Sequence, residues 1–385
     1  MSTLKVNTIN AATSGQAVAI DVQNPRSFRN LIINGAMKVA QRGTSSLGSS
    51  EYGSVDRFWH YYQNVNESPT FAQVDVASGT TPYTLGFRKA FKITNGNQTS
   101  GAGASNQVQI EYRCEAQDIA QSGWDYTSAS SYVTLSFWVK SSVAQVFNLF
   151  VKTEDGTEKN MPLSTPSLTA NTWTKVSYQI KGDSGISVNN DNGNGLTINF
   201  GPFLGTDYTN NSITNGEWIA WNGGTRSKDY TTTWYNTNDA TFELTGVQLE
   251  VGSYVTDFEH RSYGDELARC QRYCQYISAG DNDHYFGPGY YYNSTNIYML
   301  VRCRPQMRST PSVVQTTGTN YYTFYRDGSG DTFNGFDGFS WTGGTSNAGI
   351  GGAFYVNTNT SGTAGMAGAF YSSNDACKLL LSAEL

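Results

Sequence analysis

The sequence predicts an all-β protein: an antiparallel β-sandwich of the jelly-roll type, followed by a second, smaller C-terminal β-sandwich, the two joined by one short α-helix. Three observations carry this. Short apolar runs alternate in period two through most of the chain, as half-buried strands do. Gly, Asn, Thr and Ser clusters punctuate those runs, 40 glycines among 385 residues, which suits many turns. Helical spacing of apolar residues occurs in one place only, near Leu267 to Ile277.

Taken in order, the first residues contain "LKVNTI" and "AVAIDV", alternating segments separated by the polar "NAATSGQ". Two short strands cannot bury a face alone, so residues 1–33 are expected to be an attachment or trimerisation element that docks on a partner. Residues 34–258 read as the larger sandwich. "VTLSFWVK" places Val133, Leu135, Phe137 and Val139 on one face and Trp138 on the other. "VFNLFVK", "WTKVSYQI" and "LTINF" follow in the same period, with a hairpin turn expected at Asp155-Gly156. In "FELTGVQLEV" the phase slips at Gly246, which predicts a β-bulge. Segments 183–195 and 207–233 read as long decorated loops.

Residues 259–278 are expected to form the connecting helix. Ser262 or Gly264 can cap it, Asp265 and Glu266 suit its first turn, and Leu267, Cys270, Cys274 and Ile277 line one side. In a trimer those four residues would form the threefold seam. Residues 279–385 return to β spacing: Ile297, Met299 and Val301 alternate, Pro311 suits a strand start, Asp327-Gly328 reads as a turn, and "ACKLLLSAEL" closes as a strand.

Composition narrows the function. With a net charge of −6, 15% charged residues and no basic run, nucleic acid is a poor partner. No apolar stretch approaches the ~18 residues needed to cross a bilayer, and the opening residues resemble no signal peptide, so a protein made in the cytoplasm and not inserted in a membrane is expected. Five cysteines without paired metal spacing read as buried free thiols, and three scattered histidines supply no metal cluster. No cofactor, metal or catalytic residue is expected. There is no nucleophile elbow and no fixed β-helix repeat. Carboxylates such as Asp56, Glu217, Glu243 and Asp257 form no pair that sequence can bring together for glycoside cleavage.

Sugar binding fits the residue types better. Sugar C–H faces stack on aromatic rings while Asn, Asp and Gln bond hydroxyls. The candidates are Tyr290, Tyr291, Tyr292 and Asn293 in "YYYNSTN", Tyr321 and Tyr322 in "NYYTFYRD", and Trp341 in "GFDGFSW". In the larger sandwich Trp218, Trp221 and Trp234 flank a loop.

Several stretches are similar to known proteins: "NLIINGAMKVAQRGTS" (Asn30–Ser45), "VDRFWHYY" (Val55–Tyr62), "VTLSFWVKSS" (Val133–Ser142) and "LTGVQLEVGSYVTDFEHRSYGDELARCQRY" (Leu244–Tyr273). In this order they resemble the tail-fibre and related virion proteins of tailed bacteriophages, as do "MSTLKVNTI" at the start and "MRSTP" and "SAEL" further on. The resemblance implies a trimeric, non-enzymatic virion appendage whose central domain looks like a carbohydrate-binding module. Such a protein attaches the particle to host cell-surface glycan and meets other tail or virion proteins through its first residues. A structural tail or head adaptor without glycan binding is the alternative, and a polysaccharide depolymerase a third. Several such modules carry an acidic pair on the last core strand near a calcium site. Here that place reads Thr245-Gly246, which puts calcium in doubt.

Overall fold

The computed structural model describes residues 29–278, 280, 282–340 and 350–385. Most of the expected N-terminal strand pair, and Trp341, lie outside the described residues. The described chain is nearly all β, in four antiparallel sheets.

Two sheets make the jelly roll. The first contains, side by side, Ser45–Ser46, Thr70–Asp75, Lys89–Thr94, Thr241–Val251, Tyr132–Ser141 and Thr174–Lys181. The second contains Ile219–Ala220, Lys159–Ser164, Asn148–Thr153, Asn194–Asn199, Gln107–Glu115, Phe58–Gln63 and Ser50–Glu51, and Phe203–Leu204 also pairs with Gln107–Glu115. The chain crosses repeatedly between the two layers, so every second residue along each strand meets the others in a shared interior. Val133, Leu135, Phe137 and Val139 are buried there against Ile110, Tyr112, Val151, Ile198 and Leu249. Fully burying one such side chain contributes about 1.5–3 kcal/mol.

The expected bulge is present. The pairing of Thr241–Val251 with Tyr132–Ser141 shifts between Thr245 and Gln248, and Gly246 sits there at φ 63°. A side chain at Gly246 would also collide with the Phe87 ring, its Cβ 2.7 Å from Phe87 Cζ. Backbone from Asn30 runs along the same strand. The Leu31 amide donates to the Leu249 carbonyl at 2.9 Å, so this stretch belongs to the jelly roll.

The C-terminal module is a seven-stranded sheet closed by a three-stranded one. In spatial order the larger is Ser329–Phe333, Tyr322–Arg326, Ala367–Ser372, Tyr285–Tyr291, Ile297–Arg302, Gly351–Val356 and Gly338–Ser340; the smaller is Cys274–Ser278, Leu379–Ser382 and Ser312–Gln315. Between them lies a core of rings, among them Tyr322, Phe324, Phe333, Phe336, Phe354 and Phe370. The Asp327-Gly328 turn closes its hairpin with both residues at positive φ, 45° and 72°, as a two-residue hairpin loop requires.

The connecting helix is shorter than expected. It spans Tyr263–Gln271, capped by the Ser262 hydroxyl, which accepts from the Asp265 amide at 3.1 Å. Cys274–Ser278 is instead a strand paired with Leu379–Ser382. Spacing alone allowed either reading for these five residues, and the ladder with a neighbouring strand decided it. The supposed seam is also filled from within the chain. Cys270 is fully buried against Ile33, Val39 and Tyr273 with Leu267 beside them, Cys274 is fully buried, and Ile277 packs on the C-terminal core. None of Cys270, Cys274 or Ile277 presents the exposed apolar edge that a threefold contact would use. All five cysteines are free and buried.

Charged side chains bind the two modules together. Arg272 grips Glu115 with two hydrogen bonds, 2.7 and 2.8 Å, and the Tyr273 hydroxyl donates to the same carboxylate. Arg57 is fully buried, lies 3.5 Å from the Tyr273 ring centre, and pairs with Glu384, which Arg42 also holds at 3.0 Å. Arg308 donates to the Ala383 and Glu384 carbonyls at 2.7 Å each and to the Asn192 carbonyl at 2.6 Å.

Candidate functional site: a groove on the outer face of the jelly roll

Period-two alternation fixes which residues leave the core of the second sheet. On Phe58–Gln63, Phe58 and His60 point inward, so Trp59, Tyr61 and Gln63 point out. On Gln107–Glu115, Ile110 and Tyr112 point inward, so Gln107, Gln109, Glu111 and Arg113 point out. Strand pairing then lines these residues up across the sheet. Trp59 stands opposite Glu111, Glu111 opposite Asn199, and Asn199 opposite Phe150. One step along, Arg113 stands opposite Thr197 and Thr197 opposite Lys152.

The loop expected at residues 207–233 folds over this face instead of projecting from it. Asn148 donates to the Lys228 and Asp229 carbonyls at 2.8 and 3.0 Å, and Asn160 donates to the Arg226 carbonyl at 2.7 Å. This explains why Gln107, Gln109, Asn148, Asn160 and Asn199 are buried although they leave the core. Each amide bonds the loop backbone or a neighbouring amide: Asn199 Nδ2 donates to Gln109 Oε1 at 2.5 Å, and Gln107 Nε2 to Gln63 Oε1 at 3.2 Å. Buried polar groups paired in this way hold the loop at a fixed height.

Between loop and sheet remains a groove of about 260 Å³ whose floor carries Glu111, Arg113, Lys152 and Thr197 and whose wall carries Trp221 and Arg226. Its charges are placed by rings. The Lys152 ammonium lies 4.5 Å from the Trp221 ring centre, and the Arg113 guanidinium 4.8 Å from that of Trp59. Trp59 and Tyr61 stand parallel, 5.4 Å apart with an 8° interplanar angle. Arg113 pairs with Glu111 at 3.2 Å, and Lys152 with Glu154 and Glu158 at 2.7 and 3.0 Å. For Arg113, desolvation works against the charge but the Tyr52 and Glu111 side chains outweigh it, leaving the guanidinium more basic than usual. Half-exposed rings beside fixed donors and acceptors can stack one face of a sugar and bond its hydroxyls.

The residues expected from sequence fall elsewhere, and not all in one place. Tyr290, Tyr292 and Asn293 share one hairpin on the outer face of the C-terminal sheet. Tyr290 faces Tyr298, which faces Tyr355 on the next strand. Their ring centres are 6.2 and 6.3 Å apart, with Tyr292 stacked on Tyr298 at 5.1 Å. Asn293 holds the hairpin turn, its side-chain oxygen accepting from the Thr295 and Asn296 amides at 2.9 and 2.8 Å. Tyr291 and Tyr322 are corrections. Both are fully buried in the aromatic core, because alternation turns the middle tyrosine of three inward and sets Tyr322 in phase with Phe324. The Tyr322 hydroxyl is satisfied by the Thr316 and Lys378 carbonyls at 2.9 and 3.0 Å. Burial, with smaller help from Asp331, pushes the Tyr291 phenol up to about 12. Tyr321 is half-buried against the same core, and Trp341 lies outside the described residues.

Of the three tryptophans expected around the loop, Trp221 lines the groove. Trp218 is half-buried with its indole donating to the Lys181 carbonyl at 2.7 Å, and Trp234 is wholly buried, donating to Thr241 at 3.1 Å. Sequence reasoning missed Trp59, Tyr61, Arg113 and Arg226. The signal for the first two was present in "DRFWHYY", where they alternate with the inward Phe58 and His60. Thr245, at the position considered for calcium, is buried and donates to the Lys89 carbonyl at 2.7 Å. Among the described residues no three His, Cys, Asp or Glu side chains gather as a metal site would require.

No family model and no curated protein matches the chain. Among solved structures it is similar to the enzymatically active domain of tailspike protein 4 of bacteriophage CBA120, at 10% identity and a TM-score of 0.31, over 58% of this chain and 22% of that one. The matched part is thus about a fifth of the tailspike domain. A family 4 carbohydrate-binding module is similar at 11% identity and a TM-score of 0.29, over 57% of this chain and 98% of that one. The N-terminal cellulose-binding domain of Cellulomonas fimi β-1,4-glucanase C is similar at 11% and 0.26, over 57% and 99%. Similarity at this level assigns the chain to no family.

Proposed function

We propose that this chain is a non-enzymatic, glycan-binding attachment protein of a phage virion, taking sugar in the groove of the jelly roll. The observation that carries the reading is the groove itself. It has a ring wall at Trp221 and charged groups already oriented by their neighbours, and beside it on the same sheet face stands the parallel ring pair of Trp59 and Tyr61, Trp59 against Arg113. Orientation before binding lowers the entropy cost of recognising a ligand. The virion setting rests on the resemblance of the segments from Asn30 to Tyr273 to tail-fibre proteins. In it, residues 1–33 would meet other virion proteins and three copies would associate. The Tyr290–Tyr298–Tyr355 face of the C-terminal module would be a second contact for glycan.

The test is binding of the full chain to a glycan array and to intact host cells. Wild type should bind a defined set of glycans, Trp59→Ala and Trp221→Ala should lose most of it, and Tyr298→Ala should weaken cell binding more than array binding. Absence of binding to both surfaces would favour a structural adaptor. Release of reducing ends from host polysaccharide would replace the reading with a depolymerase. Light scattering that returned a monomer mass would remove the trimer.

A further inference from the structure

The three cations of the groove are not equivalent. Arg113 and Lys152 each lie within ion-pair distance of a groove carboxylate, and Lys152 also of Glu158 in the hairpin at the groove's margin. Arg226 has none among the described residues. Its Nε donates to the Gly223 carbonyl at 2.9 Å and one terminal nitrogen reaches Gln107 Oε1 at 3.4 Å, while the other makes no hydrogen bond among the described residues. The guanidinium carbon lies 4.6 Å from the Tyr208 ring centre and 5.6 Å from that of Trp221. It is therefore fixed, partly stripped of water and without a carboxylate in ion-pair contact among the described residues, Glu111 on the groove floor favouring its charge only through space. A group in that state gains more from an incoming anion than a solvated surface arginine would, and its planar fork suits a carboxylate.

We infer that the groove prefers an acidic sugar, one bearing a carboxylate such as a uronic acid, with the carboxylate on Arg226 and the ring beside Trp221. The inference rests on the glycan reading above and adds the chemical class. The excess of carboxylate at the Lys152 end, where Glu154 and Glu158 share one ammonium, sets the direction. A ligand anion is repelled there and drawn toward Arg226, so the sugar binds in one orientation.

The experiment compares uronate-containing oligosaccharides with the same oligosaccharides after carboxyl reduction, which removes the charge and keeps the backbone. Both are titrated calorimetrically into the full chain at low and high salt. The acidic form should bind about tenfold more tightly, with the ratio shrinking as salt rises. In Arg226→Gln the ratio should fall close to one, and Arg226→Lys should keep part of it, since charge remains while the fork is lost. Trp221→Ala should weaken both forms, and circular dichroism of each variant checks that the loop still folds. Equal affinity for the two forms in wild type, or a preference that survives Arg226→Gln, overturns the acidic preference and leaves glycan binding standing. If wild type binds neither form of any oligosaccharide tried, the glycan reading fails and the inference with it.

Discussion

The jelly roll and the C-terminal module both fill the space between β layers, but with different side chains. The larger interior is built mostly from aliphatic residues on alternating positions, such as Val133, Leu135, Val139, Val151, Ile198 and Leu249. The smaller one is a web of rings in which Phe336 lies 5.2–5.5 Å from Tyr322, Phe333, Phe354 and Phe370. A small module has less interior per unit of surface, and each ring buries more area than a Val or Leu does. Few, large side chains compensate for few core positions, at the cost that each one matters more.

Four experiments would break or sharpen this contrast. The largest effect is expected at the junction rather than in either core. Arg57→Met takes one of the two cations from Glu384, the cation from the Tyr273 ring and the donor from the Arg113 carbonyl, and these losses together should cost about 3–5 kcal/mol. Chemical denaturation should then show two transitions where wild type shows one. A single unshifted transition would mean that the modules are not coupled through this pair. Next, Phe370→Ala should destabilise the C-terminal module by about 3–5 kcal/mol and Val139→Ala the jelly roll by less, because fewer atoms are removed. Equal losses would erase the distinction between the cores.

Acid should discriminate between the modules. His60 is buried, stacked on Phe71 at 4.0 Å, and burial holds its pKa down to about 4, only partly offset by Glu51. The unfolded chain takes up this proton near the ordinary histidine value while the folded chain resists. Stability contributed by the neutral ring is therefore complete above pH 6.5 and lost as pH falls toward 4, on the order of 2–3 kcal/mol in all. His60→Phe should flatten that window in a melt monitored by jelly-roll tryptophans. Among the described residues the core of the C-terminal module contains no histidine, so a matching transition there would contradict the assignment. The smallest effect is Ser262→Ala. It removes the cap of the nine-residue helix between the modules and should cost about 1 kcal/mol, read as a small shift of the denaturation midpoint.

Sequence revealed the strands of this molecule wherever one face is buried. Val133, Leu135, Phe137 and Val139 could be assigned to a face because a one-residue slip would expose all four. Gly246 revealed a bulge because the phase of the apolar residues changes across it. The helix end was not legible, since Cys274–Ser278 fits both a helical line and a strand. Nor was the burial of Tyr291, because three consecutive tyrosines look alike until a strand direction is known. The groove was the least legible feature. Arg113, Lys152, Thr197 and Trp221 come from separate strands and a loop, and nothing local in the sequence predicts that residues 207–233 fold back across the sheet. Its nearest sequence trace is the run of buried amides, Gln107, Gln109 and Asn199, on positions that alternation turns outward.

The return of residues 383–385 to the jelly roll has a mechanical consequence. The C-terminal module is anchored on both sides, through Arg272 and Tyr273 where the chain enters it and through Glu384 and Leu385 where the chain comes back. A domain on one tether swings freely, whereas one held at two points keeps a nearly constant distance and angle to its neighbour. Two weak contacts on a surface, one per module, would then be met at a fixed spacing. The first to engage would raise the local concentration for the second only where the surface repeats at that spacing. The clasp would thus make the molecule a ruler for the arrangement of its target as well as a reader of its chemistry.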